Sequence, residues 1–386
     1  MADNFKKIMI VAGEASGDLH SAKLVSAFQE LEPDQVFEFF GAAGPEMRKA
    51  GVRPVVESDS ISIVGLPEIL RALPMFINIF RRLIAAADTG RPEAVVLVDF
   101  PDFNLRLARA LKRRGHRIIY YISPQIWAWR KYRINILKKY VDLIISILPF
   151  EKSWYMQNGV KHVEYVGNPL VSEVKPSCNR AEFCDRHGLD SRRPVITLLP
   201  GSRSAEISRI APILAAAAEQ MRRDQPDLQF VFAVKEGKGQ FVREVIGLEN
   251  QGFIKVVEGE TYDALAASDV AAVTSGTATF EAALLGVPSV IVYRASKINY
   301  TLLRPLINVE HFGLINLIAG KRIVKELIQG DFTPLAVAEE INRLLNPDIA
   351  SEVKSQITEA VSLLGSGGAS RRAAEAILTL IRKGSG

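Results

Sequence analysis

The chain has 386 residues, 48% of them hydrophobic and 24% charged, a length and apolar content that suit two packed domains and exclude intrinsic disorder. Its net charge is only +5, and no nucleic-acid-binding motif accompanies its basic residues, so a nucleic-acid partner is not expected. Its two cysteines, Cys178 and Cys184, have no second pair and no nearby His pair, which argues against zinc and suits a reducing cytoplasmic setting.

Met1 to Lys7 is polar and leads into a strand, so no signal peptide is expected. Lys7 to Ala12 is a short apolar run of the kind buried in parallel sheets. Gly13-Glu-Ala-Ser-Gly-Asp18 turns it into a helix, a candidate anion or sugar site that includes Glu14 and Ser16. The glycine spacing is not the dinucleotide fingerprint. Val36 to Phe40 is a second strand, with Gly41 to Gly44 as a tight turn. Runs at 94–98, 117–122, 143–148 and 163–166 alternate with helical patterns, which indicates βαβ units. Ligands of such sheets bind at the carboxyl ends of strands.

Ile61 to Phe80 contains two charges, Glu68 and Arg71. Pro67, Pro74 and those charges exclude a membrane span. Leu66, Ile69, Leu70, Leu73, Phe76, Ile77, Phe80 and Leu83 follow helical spacing, with Met75 and Ile79 on a neighbouring face. The segment is either a core helix or an amphipathic helix that meets a membrane surface or acyl chains. From Phe103 to Lys139 there are eleven Lys or Arg and no Asp or Glu, either a solvated face or a surface for anionic lipid or phosphorylated substrate.

Asp99 ends a buried strand and can accept a proton from an attacking hydroxyl. Asp102 is placed to cap the helix beginning near Phe103, and Asn104 adds a polar group. Trp127 and Trp129, off the next strand, either belong to the core or line an acyl or sugar pocket. Gly167-Asn-Pro-Leu170 should end the first domain, giving 1–167, 168–365 and a closing helix over 366–386. A second βαβ series has strands at 194–199, 229–234, 254–257, 270–273 and 289–293. Gly201, Ser202 and Arg203 follow the first of these: a close backbone, a hydroxyl and a planar cation suit a diphosphate. Ser275, Gly276, Thr277, Ala278 and Thr279 form a similar small-residue turn into a helix, with Glu281 placed to accept a sugar hydroxyl. The expected fold class is α/β, two Rossmann-like domains with parallel sheets facing a central cleft. No Walker pattern is present.

The runs VAGEASGD (11–18), GLPEIL (65–70), DFPDFNL (99–105), SPQIWAWR (123–130), LPFE (148–151), LPGSR (199–203), SGTATFE (275–281) and INLIAG (315–320) closely resemble the lipid-A-disaccharide synthase family, in order and over nearly the whole chain. The resemblance implies a GT-B fold and an inverting glycosyltransferase of family 19. Its reaction joins UDP-2,3-diacylglucosamine to 2,3-diacylglucosamine 1-phosphate, giving a β-1,6 disaccharide monophosphate and UDP. It also implies a homodimer with exchanged C-terminal segments, peripheral on the anionic cytoplasmic face of a Gram-negative inner membrane. Asp99 matches the family's proposed base, and Arg203, Ser275 to Glu281 and Asn316 match its UDP contacts. The helix after Gly65 matches its membrane-facing segment. Asn168 stands where the family usually has His, and Lys325 where Pro is usual. The Asp-x-Asp metal motif is missing from the matching places, so neither metal nor cofactor is expected. The rival readings are a transferase or 2-epimerase acting on UDP-GlcNAc, and a non-catalytic lipid-binding relative.

Overall fold

The structure, a computed structural model, describes residues 5–58, 69–247, 252–296 and 311–383, leaving aside the side chains of 69–73. Leu66 of the expected apolar face lies outside the described residues, as do the side chains of Ile69, Leu70 and Leu73. The chain divides into two compact units, residues 1–169 with 367–386, and residues 170–366.

The first unit holds a seven-stranded parallel sheet: β1 (Lys6–Ala12), β2 (Phe37–Ala43), β3 (Arg53–Glu57), β4 (Ala94–Val98), β5 (Ile118–Tyr121), β6 (Leu143–Ser146) and β7 (Val163–Tyr165), in the order β3-β2-β1-β4-β5-β6-β7. Alternation along each strand feeds two cores. Ile8, Ile10, Val96 and Val98 face one cluster, while Met9, Val11, Val95 and Leu97 face the other. Helices on both faces therefore require fully apolar strands. Helix Ala15–Leu31 covers the first cluster through Leu24, Val25 and Phe28. Beside it the closing helix, Ala369–Lys383, contributes Ala373, Ala374, Ile377, Leu378 and Ile381. Its Arg372 Nε donates to the Val166 carbonyl at 2.8 Å.

The second unit holds a six-stranded parallel sheet: β8 (Val195–Leu199), β9 (Gln229–Val234), β10 (Ile254–Glu258), β11 (Val270–Thr274), β12 (Ser289–Tyr293) and β13 (Glu326–Ile328), in the order β10-β9-β8-β11-β12-β13. In each sheet the order reverses beside the first strand, between β1 and β4 and between β8 and β11. Those are the switch points at which helices leave toward opposite faces, opening a crevice at the strand ends.

Three readings are corrected. Gly41 to Ala43 do not turn but continue β2. A Cβ on Gly41, at φ +149°, would meet the Ile10 carbonyl oxygen at 1.9 Å, so this glycine serves close strand approach. The edge strands β3 and β13 escaped the apolar-run criterion because they are short and carry Arg53, Pro54, Glu57 and Glu326. In helix Ile69–Gly90, Ile79 is a core residue with Leu83 and Ala87 rather than part of a side face. Phe76 and Phe80 pack partly buried against that core and against Phe103, with ring centroids 6.3 and 5.7 Å away. Ile77 is 44% exposed. Among the described residues, no helix is long and apolar enough to cross a membrane.

Candidate active site

At the switch point of the second sheet, β8 and β11 run side by side with Leu199 opposite Val273. Their ends are tied: the Thr274 hydroxyl donates to the Leu199 carbonyl at 2.7 Å. The two small-residue turns are therefore neighbours, and they line one cavity of about 980 Å³, large enough for a nucleotide sugar. Gly201, at φ +102°, lets the first turn bend back, and a Cβ there would come within 2.8 Å of Glu206 Oε2. Glu206 Oε2 in turn accepts from the Arg203 backbone N–H at 3.3 Å, capping helix Ser204–Asp224. The Arg203 side chain is 84% exposed and lies 3.8 Å from Glu206, so little restrains it from turning toward an anion. Gly276, at φ +155°, caps helix Thr277–Leu284, and Ser275, Gly276, Thr277 and Ala278 line the cavity.

Glu281 lines it one turn further on and accepts from the Tyr262 hydroxyl at 3.0 Å. Burial raises the Glu281 carboxyl above its ordinary value. Burial and the Glu281 charge together push the Tyr262 hydroxyl up, so it stays a protonated donor. Tyr262 was not anticipated, although Gly259-Glu-Thr-Tyr262 follows β10 at the same sheet edge and was open to the same strand-end reasoning.

Two residues expected here are elsewhere. Thr279 is 1% exposed, and its hydroxyl donates to the Gly276 carbonyl at 2.8 Å, so it shapes the turn from behind. Asn316 is fully buried, and its amide is saturated. Nδ2 donates to Val324 O at 2.8 Å and Glu326 Oε1 at 2.9 Å, while Oδ1 accepts from the N–H groups of Ile323 and Val324 at 2.9 Å each. Asn316 braces the entry to β13 and leaves no hydrogen-bonding capacity for a nucleotide. Asn316→Ala is expected to cost about 3 kcal/mol in urea unfolding, since it strands buried backbone groups.

At the switch point of the first sheet, Ala12 of β1 pairs with Val98 of β4. The 13–18 turn and the Asp99 turn therefore touch: a Cβ on Gly13 would lie 2.5 Å from the Phe100 ring. Glu14 and Ser16 are exposed at the start of helix Ala15–Leu31. Asp18 is buried and accepts from the backbone N–H groups of Gly44, Glu46 and Met47 at 2.8–3.1 Å, fixing the next turn. Asp99 is partly exposed. Burial, and then the Glu14 charge, push its carboxyl up to about 6, with His20 opposing.

Asp102 does not cap. Helix Pro101–Lys112 starts earlier than expected, without a side-chain cap, and the Asp102 carboxylate accepts from Arg130, at 2.9 Å, and from Arg133. Asn104 is not on a pocket surface: it is fully buried and turned to the backbone. Trp127 is 7% exposed, edge-on to Phe150, and its indole N–H donates to Glu151 at 3.0 Å. It belongs to the core of the first unit. Burial raises the Glu151 carboxyl to about 7.

The basic stretch divides. Lys112 pairs with Asp142 at 2.5 Å, and Arg114 and His116 pair with Asp88 at 3.3 and 3.0 Å. Arg109, Arg113 and Lys139 instead gather over the Tyr140 ring at 5.7–5.9 Å, a cationic surface with an aromatic centre. Among the described residues, no group of three or more His, Cys, Asp or Glu is placed to hold a metal ion.

A family model described as lipid-A-disaccharide synthetase matches residues 8–379. The lipid-A-disaccharide synthase of Myxococcus xanthus is 41% identical over 385 residues, covering 99% of both chains. That of Syntrophus aciditrophicus is 40% identical over 382 residues, covering 98% of this chain and 99% of that protein. Among solved structures, a putative UDP-N-acetylglucosamine 2-epimerase from Listeria monocytogenes superposes with a TM-score of 0.69 at 16% identity, covering 98% and 97% of the two chains. A calicheamicin glycosyltransferase superposes with a TM-score of 0.59 at 16% identity, covering 98% of each. The fold is that of GT-B glycosyltransferases and epimerases.

Proposed function

Because the chain belongs to the lipid-A-disaccharide synthetase family, we propose that it joins UDP-2,3-diacylglucosamine to 2,3-diacylglucosamine 1-phosphate, releasing UDP and the β-1,6-linked disaccharide 1-phosphate. The observation that carries the mechanism is the Asp99 carboxylate, raised to about 6 at a sheet switch point. The acceptor 6-hydroxyl attacks the donor's anomeric carbon from the face opposite UDP. Its proton passes to Asp99, and the bond from the anomeric carbon to the diphosphate breaks. A base titrating near 6 is ionised at neutral pH yet holds a proton better than an ordinary carboxylate.

UDP leaves with added negative charge. In the second unit, Arg203 and the backbone N–H groups of the Ser275–Ala278 turn stabilise that charge, and Glu281 accepts a hydrogen bond from a donor hydroxyl. A solved S. aureus UDP complex with a TM-score of 0.69 supports a uridine nucleotide as the occupant. The enzyme works as a peripheral protein on the anionic inner face of a Gram-negative inner membrane and as a homodimer. The closing helix packs on its own first unit here, so in the exchanged dimer the partner's copy of that helix takes the same place.

The deciding experiment offers UDP-2,3-diacylglucosamine or UDP-GlcNAc, with the acylated acceptor, and identifies products by mass spectrometry. Disaccharide from the acylated donor alone is expected. Conversion of UDP-GlcNAc to its 2-epimer, or no turnover, would sink the reading. The apolar helix is tested separately: Phe76→Ser/Phe80→Ser should reduce co-sedimentation with anionic vesicles by several-fold. Undiminished sedimentation by a folded variant assigns the helix to the core alone.

A further inference from the structure

The backbone that carries Asp99 is held in an uncommon way. Asp99 and Phe100 lie consecutively in the left-handed region, at φ +47° and +49°, a conformation that non-glycine residues keep only when their surroundings enforce it. The Asp99 N–H donates to the Tyr121 carbonyl at 3.0 Å. Beyond it the chain turns away from the ladder, and the Asp99 carbonyl has two side-chain donors. The Tyr120 hydroxyl donates to it at 2.7 Å and Asn104 Nδ2 at 2.9 Å, and Nδ2 also reaches the Val98 carbonyl at 3.1 Å. One amide thus bridges the last carbonyl of β4 and the first carbonyl of the turn.

Both donors are fully buried. Burial, then the Asp99 charge, keep the Tyr120 hydroxyl protonated well above its ordinary range, so it donates at any working pH. Among the described residues, Asn104 Oδ1 has no hydrogen-bond partner. Burying that oxygen is costly, and the two bonds that Nδ2 donates on the other side offset part of that cost.

We propose that Tyr120 and Asn104 are positioning residues for the reaction, gripping the Asp99 carbonyl so that its carboxylate is held in one direction at the strand end. The inference rests on the reading of Asp99 as base. The grip arrives from two elements, β5 and helix Pro101–Lys112, so the peptide cannot flip unless both release it. Both side chains are fully buried, which keeps them from a bound substrate. Their effect passes through Asp99 alone, which predicts a loss in kcat and a change in the titration of the base.

Tyr120→Phe removes one hydroxyl and keeps the ring. It is expected to lower kcat at least tenfold, leave KM for both sugars within twofold, and move the acid limb of the rate profile to lower pH as the loosened carboxylate meets water. A thermal melt matching the parent's reports that the first unit, which carries Tyr120 and Asn104, is folded. Asn104→Ala should act in the same direction and replaces Tyr120→Phe if that variant is insoluble. A folded variant with kcat within twofold of the parent overturns the proposal. So does a loss matched by an equal loss of folded first unit in that melt, with an unmoved acid limb. Asp99→Asn separates the two ideas: parental turnover there removes the base, not the grip. The grip is then read from the Asp99 carboxyl titration by carbon-13 NMR, and identical titration in parent and Tyr120→Phe overturns it.

Discussion

Asp99→Ala should lower kcat by about 10²–10⁴-fold, the usual contribution of a positioned base, while UDP affinity stays within twofold, because the cavity proposed to hold UDP belongs to the other unit. Initial rates with the acylated pair and calorimetric UDP titration measure the two effects. Turnover within tenfold of the parent would remove Asp99 from the chemistry. The pH dependence has a definite sign. As the proposed base Asp99 must be ionised to act, and its carboxyl is pushed up to about 6, so kcat/KM should fall below about pH 6. Burial is the main cause and the Glu14 charge the second. Glu14→Gln should therefore shift the acid limb down only part of the way toward the ordinary value. The same shift has a stability side. A carboxyl whose folded value is raised favours the fold while protonated, and that benefit is lost as pH rises through about 6. Asp99→Asn should accordingly melt higher than the parent at pH 8, with the difference shrinking at pH 4.

Arg203→Ala should cost about 10²–10³-fold in kcat, the range for removing one donor from a developing anion. Steady-state rates and product inhibition by UDP measure it. Inhibition by UDP should weaken as well, since the proposed contact extends to the product diphosphate. Arg203→Lys should recover only part of the loss, because a point charge cannot make the paired hydrogen bonds of a guanidinium. Since Arg203 is 84% exposed and caps its helix through backbone rather than side chain, its removal should leave the melting temperature within about 2 °C, the scale of a surface substitution. A kcat within twofold would return the Leu199–Arg203 turn to a plain strand-to-helix connection.

Much of this was legible along the chain. Apolar runs of five or six residues marked most strands, because strands covered on both faces cannot alternate with polar residues. Small-residue turns after β8 and β11 marked the residues that line one cavity, because backbone that must approach a phosphate cannot carry large side chains. Asp99 stood out as a charge at the end of such a run. These are local signals, and local signals survive in one dimension.

What the tertiary structure decided is which strand ends are neighbours and where each polar side chain spends its hydrogen bonds. The strand order places β1 beside β4 and β8 beside β11, which brings Glu14 close enough to raise Asp99 and ties Thr274 to Leu199. It also reassigns residues of suggestive type. Asn316, Thr279, Asn104 and Trp127 are polar or aromatic side chains within motifs, yet each turns inward to satisfy buried backbone or a buried carboxylate. Residue type and spacing state what a side chain can bond. Only its packed surroundings, where an unmet polar group is costly, determine which bond it makes.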